Sequence, residues 1–142
     1  MTTAIDLELA PLAGCIAVGV HTALTDLLAD DIPHAPLRDA LVEHQVLVLR
    51  GASPTPEQHI ALAEIFGRPK PPEEQNPRHP DHHDVCVFDS DDGDKADKWH
   101  ADETFTDSPV TGAVLTIRTR PAFGSDTIWA TPPRPTTRCP TG

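Results

Sequence analysis

Thr55-Pro56-Glu57-Gln58 constrains this chain more tightly than any other stretch. A threonine at the N-cap, proline at the first helical position and glutamine at the reciprocal capping position together satisfy the orphan N–H groups of a helix start. The spacing predicts a helix running through Ile60, Ala61, Ala63, Ile65 and Phe66, stopped at Gly67, with Pro69 barring continuation. Upstream, Gln45-Val46-Leu47-Val48-Leu49-Arg50 reads as a strand buried on both faces, fed by a helical pattern over 37–44. Ile5, Leu7 and Leu9 alternate with acids in the manner of a half-buried strand, and Cys15 to Val20, bounded by Gly14 and Gly19, reads as another. Downstream, residues 68–84 are rich in Pro, His and acid and read as an irregular loop. Val85–Phe88, Ala113–Arg118 and Thr127–Ala130 then read as short strands. No glycine-rich phosphate loop follows any strand, and the second half holds only strands and loops, which argues against a doubly wound sheet. The expected class is a β-rich α+β fold with N-terminal helices.

A chain of 142 residues, 38% of them hydrophobic, suffices for one small domain with a thin core. Residues 1–130 carry the folded pattern. Residues 131–142 contain four prolines and no aliphatic side chain, and are expected to form a disordered Pro/Arg/Thr-rich tail. Eleven Lys and Arg against 22 Asp and Glu give a formal charge of -11, which repels phosphate backbones and anionic lipid, so neither nucleic acid nor a membrane surface is an expected partner. The acidic run Asp89-Ser90-Asp91-Asp92-Gly93-Asp94 completes no EF-hand register and reads as a solvated loop. Cys15, Cys86 and Cys139 are odd in number and widely spaced, suggesting neither a disulfide framework nor a thiolate metal site. With no signal-peptide pattern and no apolar run approaching about 20 residues, the expectation is a soluble cytoplasmic protein.

Trp99-His100-Ala101-Asp102-Glu103-Thr104-Phe105 carries the chemistry. In a strand, residues i and i+2 share a face, so His100 and Asp102 would converge on one ion while Ala101 turns away. An imidazole and a carboxylate are two of the three ligands in the facial arrangement that leaves positions open on non-haem Fe(II). His-x-Asp is common by chance, and a surface histidine beside an acid is the bland reading. The context adds to it. Trp99, Thr104-Phe105, Ser108-Pro109, the segment Gly112 to Arg118 and Gly124-Ser125-Asp126-Thr127-Ile128-Trp129 resemble, in order and spacing, the N-terminal half of the taurine/2,4-dichlorophenoxyacetate dioxygenase family. Glu43 to Arg50 and Ala63-Glu64-Ile65-Phe66-Gly67 are similar to its N-terminal region, so the likeness runs from about Leu7 to Ala130.

The resemblance implies a partial double-stranded β-helix, or jelly roll, and a dioxygenase dependent on Fe(II) with 2-oxoglutarate as cosubstrate. It implies His100 and Asp102 as iron ligands and Thr127 as a hydrogen-bond donor to a 2-oxoglutarate carboxylate. Without it, Thr127 reads as ordinary strand propensity, and Trp99, Phe105 and Trp129 read as core aromatics. The implied reaction consumes dioxygen, decarboxylates 2-oxoglutarate to succinate and hydroxylates a small, anionic organic substrate. The loop before the metal motif carries Lys70, His79, His82, His83, Lys95 and Lys98, none assigned to substrate.

The family also completes its iron site with a second histidine and an arginine far downstream. No histidine follows His100, and Arg134 and Arg138 match no family arginine. The expectation is a truncated or frameshifted copy, doubtful in activity, with strand edges and apolar faces uncovered. Two other readings stand beside it. Arg78-His79-Pro80-Asp81-His82-His83-Asp84 could bind zinc or nickel as a storage or sensing module, although adjacent His82 and His83 do not easily reach one ion. Alternatively, the incomplete sheet associates as a homo-oligomer or with a full-length relative.

Overall fold

The computed structural model describes residues 7–13, 16–89, 96–124 and 126–131. The chain divides into two compact units, one of residues 1–53 with 117–142 and one of residues 54–116.

The first unit contains β1 (Leu9–Ala13), β2 (Ile16–Val20), α1 (Leu24–Leu27), α2 (Ala35–His44) and β3 (Leu47–Leu49). The sheet order is β1-β2-β3, with β1 antiparallel and β3 parallel to β2. A parallel neighbour requires a crossover, and residues 21–46 supply it through α1 and α2. α2 packs on β2 and β3. Val18 and Val20, two apart on the central strand, are buried together with Leu27, Leu37 and Ala40. The ring of His34 lies 3.1 Å from the Leu27 carbonyl, joining the end of α1 to the start of α2. Pro36 stands in the first turn of α2, and Gln45 closes that helix in the left-handed region at φ 65 with its N–H on the Leu41 carbonyl.

Several sequence expectations shift in detail. The first strand begins at Leu9, where the alternating pattern ends; Ile5 lies outside the described residues. Gly19 sits inside β2 opposite Ala10 rather than bounding it, and an added Cβ would lie 3.4 Å from both Leu12 and His21 side-chain atoms. β3 is half-buried, not buried on both faces, because it is an outer strand with β2 beside it. The His21 N–H donates to the Glu8 carbonyl at 2.9 Å, which sets the phase of the β1–β2 ladder. Residues 8, 10 and 12 direct their backbone groups toward β2, and residues 9, 11 and 13 away from it. Pro11 thus occupies a position where a missing N–H costs no ladder bond.

In the second unit, α3 (Pro56–Glu64) starts as the sequence demands. Gln58 N–H donates to the Thr55 hydroxyl at 3.3 Å, and Thr55 N–H donates to the Gln58 side-chain carbonyl at 2.9 Å. Leu62 and Ile65 are buried. Gly67, at φ 148, takes a conformation that side chains rarely adopt and ends the element. Beyond it, the chain folds back on itself over 77–87: His79 N–H reaches the Val85 carbonyl at 2.8 Å, and Val87 N–H reaches the Pro77 carbonyl at 3.0 Å.

The expected strands of the second half do not form ladders. Val85–Phe88 contributes one isolated bridge, Cys86 to Arg78, and neither Ala113–Arg118 nor Thr127–Ala130 joins a sheet. A ladder needs a run of paired neighbours: residues 77–79 bond Val85–Phe88 only over the one bridge, and among the described residues no strand pairs with the other two segments. Trp99, Phe105 and Trp129, expected in a core, are exposed, Phe105 at 85%. The rings lie in turns and unpaired segments, so no facing layer is built over them among the described residues. Most of the acidic run, residues 90–94, and the tail after Thr131 lie outside the described residues. Among the described residues, no helix is long and apolar enough to cross a membrane.

Candidate metal centre

His100 and Asp102 do not lie on a strand: Asp102 opens a turn over 102–105, and the residues before it are irregular. The two side chains nevertheless meet, His100 Nε2 lying 3.5 Å from Asp102 Oδ1. His100 Nδ1 is 2.8 Å from the Lys98 carbonyl oxygen. A carbonyl only accepts, so Nδ1 carries a hydrogen and Nε2 is the nitrogen presented to Asp102. In the neutral ring, Nε2 is then a lone pair facing a carboxylate, and such a pair is stabilised by a cation between them, either a proton or a metal ion.

The donor set suits a transition metal. Two ligand atoms each about 2.1 Å from a metal, at right angles, stand about 3 Å apart, close to the observed 3.5 Å. A backbone carbonyl on the far ring nitrogen is the usual way a ligating histidine is held in one tautomer. Both side chains are more than half exposed, at 57% and 59%, so the far side of the pair is open to small molecules. No group of three His, Cys, Asp or Glu that could hold a metal ion occurs among the described residues. The pair fits two adjacent coordination positions and no more.

Sequence reasoning missed the group that follows the pair. Glu103 takes a left-handed backbone conformation, φ 54, and Thr106 closes on it through both its N–H and its hydroxyl, each 3.0 Å from the Glu103 carbonyl. Lys70, from the Pro-rich loop, donates to Glu103 Oε1. Glu103 is largely buried, with a side-chain exposure of 18%, and its Oε2 is buried without a hydrogen-bond partner. The signal available was weak: a lysine and a glutamate 33 positions apart give no local pattern.

Thr127 is exposed and belongs to the first compact unit, whereas His100 and Asp102 belong to the second. The histidine-rich segment assembles differently from a metal site. The His79 and His82 rings lie 5.1 Å apart, tilted by 54°. His79 Nδ1 accepts the Asp81 N–H at 3.2 Å, and His82 Nε2 is 3.1 Å from Glu57 Oε1 in the first turn of α3. His83 points to solvent. The two rings are therefore committed to a turn and a helix start. A hydrogen bond from the Thr55 side chain, then one from the Glu57 backbone N–H, hold the Glu57 carboxyl below its usual range, with smaller contributions from His82 and His79.

One imidazole and one carboxylate are two of the three donors in the 2-His-1-carboxylate arrangement of non-haem iron oxygenases. The chain belongs to the taurine catabolism dioxygenase TauD, TfdA family, whose model matches residues 8–131. It is similar to an alpha-ketoglutarate-dependent sulfate ester dioxygenase of Pseudomonas putida, with 27% identity over 132 residues, covering 89% of this chain and 42% of that protein. It is also similar to an alkylsulfatase of Acinetobacter baylyi, with 36% identity over 103 residues, covering 66% of this chain and 30% of that protein. The chain thus spans less than half the length of these curated relatives.

Proposed function

We propose that this chain carries the metal motif of an Fe(II)- and 2-oxoglutarate-dependent dioxygenase acting on a small anionic sulfate ester. His100 Nε2 and Asp102 are the two protein donors to iron, Thr127 holds a 2-oxoglutarate carboxylate, and the segment belongs to a partial jelly roll. The observation that carries this reading is the meeting of His100 Nε2 and Asp102 Oδ1 with the other ring nitrogen engaged by the Lys98 carbonyl. Likeness to a sulfate ester dioxygenase and to an alkylsulfatase supports this choice of substrate class.

When bound, iron with 2-oxoglutarate and dioxygen supplies an oxidant able to hydroxylate an unactivated C–H bond. The chain's own residues do the placement. Hydrogen bonding to the Lys98 carbonyl keeps the proton on Nδ1 and leaves Nε2 available as a ligand. Asp102 supplies negative charge on the same side. The hydroxyl of Thr127 has the donor capacity to orient a carboxylate. Lys70 is engaged by Glu103, so an anionic substrate is left to other groups.

Metal titration tests the site. Mn(II), a redox-stable stand-in for Fe(II), followed by electron paramagnetic resonance, is expected to bind weakly, since two protein donors leave the remaining positions to water. His100→Ala and Asp102→Ala should each weaken that binding by about tenfold or more, and His82→Ala should leave it unchanged. Loss of binding in the His82 variant alone would move the site to the histidine-rich segment and defeat the proposal.

A further inference from the structure

We propose that Lys70 and Glu103 form a latch that sets how the His100–Asp102 pair is presented. The inference rests on the metal-site reading for the roles of His100 and Asp102, and it concerns positioning residues rather than ligands. Glu103 follows Asp102 directly, and its φ of 54 fixes how the chain leaves the His100–Asp102 pair, so whatever holds Glu103 also anchors the backbone next to Asp102. Glutamate has no intrinsic preference for that conformation, unlike glycine or asparagine, so surrounding contacts must hold it. Those contacts are visible on both sides of the residue. Its carbonyl is bound twice by Thr106, and its side chain is held by Lys70.

Charge supplies the second half of the argument. Glu103 is a largely buried carboxylate next to Asp102, with Oε2 lacking any hydrogen-bond partner. Unpaired, it would be costly to bury and would compete with Asp102 for a cation. The Lys70 ammonium compensates it, so that the negative charge offered to a metal is that of Asp102 alone. Lys70 also ties the turn to the loop that follows α3.

The test uses the full chain and two readouts. Nitrogen-15 NMR of the histidine rings reports the His100 tautomer without any metal, and Mn(II) titration reports presentation of the pair. In Lys70→Ala the Nδ1–H tautomer of His100 should lose its dominance, and Mn(II) affinity should fall by about tenfold, the range seen for groups that orient ligands. Glu103→Gln should behave likewise. The exchanged pair Lys70→Glu with Glu103→Lys should restore both, which a general loss of stability would not permit. Unchanged ring signals in Lys70→Ala, or failure of the exchanged pair to rescue the tautomer, would overturn the latch. If the parent chain binds no Mn(II), the metal-site reading fails, and the ring tautomer still decides whether the latch exists.

Discussion

Residues 16–65 bury a core, with Val42 exposed at its surface, whereas residues 85–129 leave most of their large apolar side chains uncovered. Every buried hydrophobic residue among those described lies between Val18 and Ile65. In the later stretch Val87, Phe88, Trp99, Phe105, Leu115, Ile117, Phe123, Ile128 and Trp129 are all exposed. The difference is one of partners within reach. A helix satisfies its own backbone, and the β2–β3 pair is closed by helices that lie between them in sequence. The later segments carry strand-like patterns that, among the described residues, gain at most a single isolated bridge, Arg78 to Cys86. An alternating pattern specifies a face; it does not create the strand that must lie beside it.

The contrast can be broken most directly by truncation at equivalent apolar positions. Leu27→Ala removes a side chain that is 1% exposed, and should cost about 2–5 kcal/mol in urea unfolding. Leu115→Ala, at 71% exposure, should change stability by no more than about 0.5 kcal/mol. Equal losses would erase the distinction between the regions. A smaller effect sharpens the role of local signals: Thr55→Ala should lower stability by about 1 kcal/mol, visible as a lower Tm, with Thr55→Ser close to the parent. An unchanged melt would show that the capping box is idle.

The smallest effect is at Glu57. Its carboxyl is held below the ordinary value of 4.5, so its contribution to stability is present above that pH and is lost as pH falls through the lowered folded value. An NMR titration of the Glu57 carboxyl should give a midpoint below 4.5, raised more by Thr55→Ala than by His82→Ala, because the threonine hydrogen bond is the larger cause. The reverse order would make the histidine rather than the hydroxyl the governing neighbour.

What could be read from the sequence follows the range of the interaction involved. The start of α3 was legible because Thr55, Pro56 and Gln58 lie within one turn and act on each other alone. The helix before β3 and the central β2 were legible for the same reason, with shifts of a few residues at their ends. α1, four residues without a side-chain cap, left no periodic trace. His100 and Asp102 were legible as a pair because only one residue separates them, although the expected strand geometry was replaced by a turn that brings the groups together by another route. Lys70 and Glu103 were not, since nothing local links loop to turn. The rings at Trp99, Phe105 and Trp129 were misassigned because hydrophobicity records a tendency to be covered, whereas burial requires the cover itself.

Pro11 has a consequence for what this small sheet can become. Its nitrogen lies on the rim of β1 turned away from β2, so the rim offers carbonyl acceptors but lacks a donor midway along its five residues. A foreign strand zippering along that rim would meet a gap in the ladder at that position. Accretion of further copies on that side is interrupted by a single ring closure in the backbone, a safeguard that adds no contact to the folded molecule.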